Sequence, residues 1–218
     1  ARELRAAPQS DKEAFCPRNT ESWYTLIYTA VWPFMNLIHP VKAIGRENIP
    51  EGGCMICGNH TSAADPLMLV YAVKRENYQV RPMAKVELTR LPVVGFLLRK
   101  AGVFGVDRGN ADVSAIRTAM KYLKSGEKVL VYPEGHRVRK SRGDVRDPKS
   151  GAAMLAVRCG VPILPVFIPE KKKFFRRTPV VFGEPYLPHT ETRRGTQEEF
   201  EAITADLMER IDALEARI

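Results

Sequence analysis

The sequence predicts an α/β fold, a layered sheet with helices on both faces, preceded by an N-terminal amphipathic helical segment. From Glu51 onward short apolar runs alternate with stretches of helical period, the pattern of strands separated by packed helices. The runs Cys54 to Cys57, Val80 to Ala84, Val129 to Tyr132, Ile163 to Ile168 and Pro179 to Phe182 read as strands. A chain of 218 residues with 44% hydrophobic content is long enough for one sizeable core and short for two. Residues 41–218 therefore read as one domain, and residues 1–40 as a polar N terminus followed by the helical segment.

In that segment Trp23, Leu26, Ile27, Ala30, Val31, Phe34, Met35 and Ile38 recur at helical spacing, while Tyr24, Thr25, Tyr28 and Thr29 take the other side. The helix is expected to kink before Pro33, and it falls short of the roughly 20 residues needed to cross a bilayer. Two readings stand: an in-plane membrane anchor with its tryptophans and tyrosines at head-group depth and Trp23, Trp32 and Phe34 touching the membrane, or a helix packed on the protein's own core. Further helices are predicted over Pro66 to Lys74, Asp112 to Lys124 and Gly151 to Cys159. The second places Val113, Ile116, Met120 and Leu123 on one face and stops at Gly126. A last helix opens on a capping box, Thr196 with Glu199, and carries Phe200, Ile203, Leu207, Ile211 and Leu214 along one stripe, most simply for core packing.

The formal charge of +9 implies anionic partners: nucleic acid, acidic lipid head groups or phosphorylated small molecules. Nucleic acid is disfavoured, because zinc-finger spacing, a basic region with heptads and an RNA-binding aromatic signature are all missing. Four cysteines, Cys16, Cys54, Cys57 and Cys159, do not make a disulfide framework in a chain of this size and suit a reducing compartment. Cys54 and Cys57 match C-x-x-C, but residues three apart on a strand point to opposite faces, so they read as small hydrophobes rather than a metal or redox pair. Residues 1–21 are polar and do not resemble a secretory signal. Two basic stretches, Arg137 to Lys149 and Lys171-Lys172-Lys173-Phe174-Phe175-Arg176-Arg177, read as loops. The second, with Phe174 and Phe175, suits either an acidic bilayer surface or a solvated turn.

Two motifs carry chemistry. In Asn59-His60-Thr61-Ser62-Ala63-Ala64-Asp65 a histidine is followed five residues on by a carboxylate, the minimum for taking a proton from a hydroxyl. His60 follows a strand and precedes a helix, which places it at a strand's carboxyl end, where open α/β sheets bind ligands. Pro66 suits the first helical position, so Asp65 reads as an N-cap and His60 lies outside the helix, as contact between the two requires. On the residues alone, a helix cap with a backbone-bonded histidine is as good a reading as a catalytic pair. In Tyr132-Pro133-Glu134-Gly135-His136-Arg137 a glycine near an arginine suits close approach to a phosphate.

These motifs resemble the signatures of the glycerolipid acyltransferases, most of all the short bacterial 1-acylglycerol-3-phosphate acyltransferases. Gly102-Val103-Phe104-Gly105-Val106-Asp107-Arg108 is similar to the family's second block and Val161-Pro162-Ile163-Leu164-Pro165-Val166 to its fourth, in the right order. Smaller likenesses are Gly45-Arg46-Glu47-Asn48-Ile49-Pro50, Ala84-Lys85-Val86-Glu87-Leu88 and Lys149-Ser150-Gly151-Ala152-Ala153, so the resemblance covers Val41 to Gly183. It implies that residues 41–218 form an acyltransferase domain in which His60 deprotonates the acceptor hydroxyl and Asp65 orients the imidazole. Arg108, Glu134, Gly135 and Arg137 match positions that bind the glycerol phosphate, with Lys85 adding charge. Glu134 would repel a phosphate, so it is expected to orient an arginine or bond an acceptor hydroxyl. Where the family has threonine after Glu-Gly this chain has His136, which bears on acceptor choice and could add a cationic phosphate contact at mildly acidic pH.

The resemblance implies lysophosphatidic acid as acceptor and an acyl-coenzyme A or acyl-carrier-protein thioester as donor; no cofactor and no metal are expected, since the sequence has neither metal-ligand spacing nor a dinucleotide glycine fingerprint. It also implies work at an anionic membrane surface, at the cytoplasmic face of the cell membrane, peripheral or monotopic. Readings from other classes are a different acceptor (glycerol phosphate, another lysophospholipid or an acyl-amino acid lipid), a non-enzymatic binder of acidic lipids, and a nucleic-acid-binding module.

Overall fold

The computed structural model describes residues 18–74, 79–107, 112–192 and 194–218. In chain order the elements are α1 (Arg18–Ile38), β1 (Val41–Ile44), β2 (Cys54–Gly58), α2 (Asp65–Lys74), β3 (Val80–Lys85), α3 (Val86–Arg90), α4 (Val94–Lys100), β4 (Phe104–Val106), α5 (Val113–Lys124), β5 (Lys128–Val131), α6 (Gly151–Cys159), β6 (Ile163–Phe167), β7 (Thr178–Phe182) and α7 (Gln197–Ala213). The strands form one seven-stranded sheet in the order β1-β7-β6-β2-β5-β3-β4. Every pairing is parallel except β6 with β7. Parallel neighbours require crossovers, which the helices supply, and five strands consequently present their carboxyl ends at one edge.

Alternation along each strand sorts the core into two layers. Cys54 and Ile56 of β2 face the layer closed by α1 and α2, with Leu69, Tyr71 and Phe182. Met55 and Cys57 face the layer closed by α5, α6 and α7, with Leu123, Leu155 and Ile211. The two cysteines therefore lie on opposite faces, both fully buried, and burial pushes the Cys54 thiol up to about 12. The capping box of α7 forms through both Thr196 and Glu199, and Phe200, Leu207, Ile211 and Leu214 pack inward as predicted.

α1 corrects the expected face. Its buried residues are Tyr24 and Tyr28, whereas Leu26, Phe34 and Leu37 are 59%, 68% and 64% exposed. The tyrosines bring rings that the core can pack, and Tyr24 a hydroxyl that it can satisfy. Val80 N donates to Tyr24 Oη at 3.3 Å and Tyr71 Oη donates to the Tyr28 carbonyl at 3.0 Å, while the Tyr28 and Tyr71 rings meet edge-on at 5.8 Å. Trp32, expected at head-group depth, is half-buried and packs on Tyr71 with ring centroids 5.2 Å apart. Trp23 sits at the margin, 36% exposed and edge-on to Phe96 of α4. Pro33 lies inside α1, which runs on to Ile38. Among the described residues no helix is long and apolar enough to cross a membrane.

Four elements were not predicted: β1, β4, α3 and α4. β1 has four residues and β4 three, too short for a period to show. α3 and α4 are separated by Pro92 and interrupted by Gly95, which break the helical pattern. Both leave large side chains outside, among them Leu88, Val94, Phe96 and Leu97.

Candidate active site

The first motif begins where β2 ends. Asn59 is buried and stitches β2 to the end of β6: its Nδ2 donates to the Ile168 carbonyl at 2.8 Å and its Oδ1 accepts from Ile168 N at 2.9 Å. That double bond replaces the ladder the strands would otherwise continue, and it fixes the origin of the loop that follows. His60 lies in this loop at the carboxyl edge of the sheet, outside α2, as predicted. Its Nδ1 is 3.2 Å from Asp65 Oδ2.

Asp65 is fully buried, and Oδ2 also accepts from Thr61 N at 2.7 Å and Ser62 N at 2.6 Å. This corrects the N-cap reading: Asp65 opens α2 with its carboxylate turned back into the 60–65 loop. The same carboxylate shapes the loop and orients the imidazole. Burial would raise the proton affinity of Asp65, but the His60 hydrogen bond, the charge and hydrogen bond of Lys172 and the Ser62 amide together hold it below the ordinary carboxylate range. The imidazole, 16% exposed, stacks on Tyr132 at 4.2 Å with the planes 17° apart.

The second motif closes against the back of the first. Glu134 is buried, with Oε2 accepting from His60 N at 2.8 Å and Oε1 facing Arg146 Nε at 3.0 Å. Arg146 in turn meets Asp212 of α7 at 2.7 Å. Glu134 thus orients an arginine, as expected, and props the 60–65 loop by its backbone. Burial raises its proton affinity, opposed by the His60 amide and Arg146. Val138 N donates to the His60 carbonyl at 2.8 Å and Arg139 Nε to the Thr61 carbonyl at 3.2 Å. Gly135 has φ +69, and a Cβ there would meet nothing within 4 Å, so the left-handed turn itself requires glycine rather than crowding by the protein.

His136 and Arg137 are exposed beside this turn. A cleft of about 540 Å³ opens there, bounded by Tyr132, Glu134, Gly135 and His136 and walled by Met83, Ile116, Met154 and Leu155. Lys85 ends β3 at the same sheet edge in an exposed ion pair with Glu87 at 2.9 Å. Arg108 lies outside the described residues. Phe174 and Phe175 are 65% and 69% exposed, with Phe174 against His39 and Phe175 N donating to the Ile38 carbonyl at 2.9 Å, so their loop is tied to the end of α1.

Two charged residues escaped the sequence reading. Lys172 lies in a run of three lysines with nothing to mark it, and Arg146 sits in a basic loop among other cations. Only the fold shows which side chains turn inward.

Residues 40–169 match the Acyltransferase family. The chain belongs to that family. This acyltransferase is 30% identical over 201 residues to the 1-acyl-sn-glycerol-3-phosphate acyltransferase of Bacillus subtilis (strain 168), covering 89% of this chain and 98% of that protein. It is 35% identical over 134 residues to the Borreliella burgdorferi enzyme of the same name, covering 60% of this chain and 52% of that protein. The human 1-acyl-sn-glycerol-3-phosphate acyltransferase beta is 36% identical over 134 residues, covering 56% of this chain and 46% of that protein. The acyltransferase thus spans nearly all of the first relative and about half of the other two. It shares its fold with the crystal structure of the 1-acyl-sn-glycerophosphate (LPA) acyltransferase PlsC from Thermotoga maritima, with a TM-score of 0.59, 24% identity, and coverage of 87% of this chain and 78% of that one.

Proposed function

We propose that this acyltransferase moves a fatty acyl group from a coenzyme A or acyl-carrier-protein thioester to the free hydroxyl of 1-acylglycerol-3-phosphate, giving phosphatidic acid. The observation that carries the reading is the His60 to Asp65 contact at 3.2 Å, held by buried partners and touching Tyr132 and Glu134, which bound the cleft. With Nδ1 given to Asp65, Nε2 of His60 takes the hydroxyl proton as the oxygen attacks the thioester carbonyl. The tetrahedral intermediate collapses with loss of the thiolate, which recovers the proton from the imidazolium. Asp65 stabilises that imidazolium throughout. No cofactor enters this scheme, and neither buried thiol of β2 is needed as a nucleophile.

The apolar walls of the cleft suit an acyl chain. Arg137 and Lys85 at the sheet edge suit the acceptor phosphate; His136 beside them could join, and the family resemblance adds Arg108 on sequence alone. Leu26, Phe34 and Leu37 of α1, Phe96 and Leu97 of α4, and Phe174 and Phe175 together offer an apolar surface with cations nearby, which supports docking on an anionic membrane.

The test is transfer from palmitoyl-coenzyme A to 1-acylglycerol-3-phosphate in detergent, wild type against His60→Ala. Wild-type product that falls by about 10²- to 10⁴-fold in the variant is expected. Full activity in His60→Ala would remove the histidine from the mechanism. Wild type inactive with this acceptor, with either donor, would remove the proposed substrate.

A further inference from the structure

One cation at the site has no task in the transfer scheme. Lys172 stands in the loop between β6 and β7, and its flanking neighbours Lys171 and Lys173 are exposed. Its own side chain is 5% exposed, with Nζ 2.9 Å from Asp65 Oδ1. The same nitrogen donates to Thr61 Oγ1 at 2.7 Å and to the Pro169 carbonyl at 2.8 Å. An ammonium has three N–H groups, and here three acceptors surround it. The contact is an ion pair whose cation has two further hydrogen bonds, and such partners are what a buried charge needs to be retained at little cost.

The carboxylate of Asp65 is thereby divided. Oδ2 serves His60 and the loop amides, while Oδ1 serves Lys172. We infer that Lys172 is a positioning residue of the acyl transfer: seated on Oδ1, it fixes the Asp65 carboxylate toward His60 and, as the counter-charge on that oxygen, offsets part of the carboxylate's pull on the imidazolium. The inference rests on the reading of His60 as the base.

The physical reason for such a residue lies in the carboxylate itself. An unopposed buried Asp beside a histidine stabilises the imidazolium in the resting enzyme as well as in the transition state, which leaves less of the neutral base. An ammonium on the far oxygen offsets part of that attraction. The other charged and titratable groups around the pair are Glu134 at the His60 amide, Arg146 behind Glu134, Arg139 on the Thr61 carbonyl and Tyr132 stacked on the ring. Of these cations, Lys172 is the one in contact with Asp65.

The experiment compares wild type, Lys172→Gln and Lys172→Arg. Glutamine keeps hydrogen-bond donors for Thr61 and Pro169 but drops the charge; arginine keeps the charge. Two readouts are taken: the pH dependence of kcat/KM with palmitoyl-coenzyme A and 1-acylglycerol-3-phosphate, and an NMR titration of the ¹⁵N-labelled His60 ring without substrate. In Lys172→Gln the acid limb of the rate profile and the ring titration should both move up by about one pH unit, while Lys172→Arg stays with wild type. A Lys172→Gln enzyme whose two midpoints stay put, whatever its overall rate, would overturn the inference. The ring titration is independent of turnover, so a failure of the base reading, seen as an active His60→Ala enzyme, is distinguishable from a failure of the Lys172 assignment.

Discussion

The two ends of the central sheet both bury charge, but in different company. At the amino end, Arg81 is fully buried, paired with Glu127, bonded to Gln79 Oε1 at 2.6 Å and placed against the rings of Tyr122 at 5.0 Å and Tyr24 at 5.9 Å. Lys128 beside it donates to the Gly52 carbonyl at 2.8 Å. At the carboxyl end, Asp65, Glu134 and Lys172 are buried just as deeply, yet they surround a histidine whose ring is still partly reachable next to a cleft. At the amino end Arg81 is sealed under aromatic rings, and Lys128 ties β5 to the Gly52 carbonyl ahead of β2. A buried charge therefore marks a site only where it acts on a group that a ligand can still touch.

The sharpest way to test this contrast is to remove one charge from each end. Asp65→Asn should lower transfer activity on the order of 10³-fold or more, because the imidazole loses both its orientation and its counter-charge. It should also cost about 3 kcal/mol of stability, since Lys172 is left buried without a carboxylate. Because the proton affinity of Asp65 is depressed in the folded protein, its stabilising share is present above the unfolded carboxylate value. That share is lost as pH falls through the folded one. The stability gap between wild type and Asp65→Asn should accordingly narrow below about pH 4 in urea titrations.

Arg81→Met should cost a similar amount, about 3 kcal/mol in urea unfolding, by orphaning Glu127, with kcat/KM of the folded enzyme unchanged. A tenfold fall in kcat/KM below the melting transition would break the contrast and bring the amino end into the site. The smallest effect is expected of Cys57→Ala, on the same strand that launches His60. Loss of about 1 kcal/mol from packing, with activity within twofold, would leave the carboxyl-end polar groups as the chemistry; an inactive variant would return the thiol to consideration.

The sheet was largely legible because its strands are buried on both faces and read as continuous apolar runs. The five predicted strands lie within one residue of those observed, and the short helices α3 and α4 were hidden by Pro92 and Gly95. His60 and Asp65 were legible from spacing because their contact is local. Glu134 was legible by motif, but its grip on the His60 amide was not, since nothing in a sequence says which backbone group a distant carboxylate will meet. Lys172 was misread as one of three surface lysines for the same reason. The tyrosine face of α1 was misassigned because hydropathy counts a tyrosine's hydroxyl against burial, whereas the core meets the Tyr24 hydroxyl with the Val80 amide and packs the Tyr28 ring against Tyr71.

Strand order also dictates a schedule. β1 pairs with β7, Val41 opposite Thr178, and β2 lies between β5 and β6. Contacts that close over such separations form late, after the local ones. The loop from His60 to Asp65 can curl on its own as soon as it is made, but the residues that clamp it, Glu134, Val138, Ile168 and Lys172, are all synthesised at least 69 positions after Asp65. The 60–65 loop is thus written early and finished last, and a chain that has collapsed without seating the β6 to β7 connection holds His60 beside Asp65 but lacks Lys172 on the carboxylate and Ile168 on Asn59.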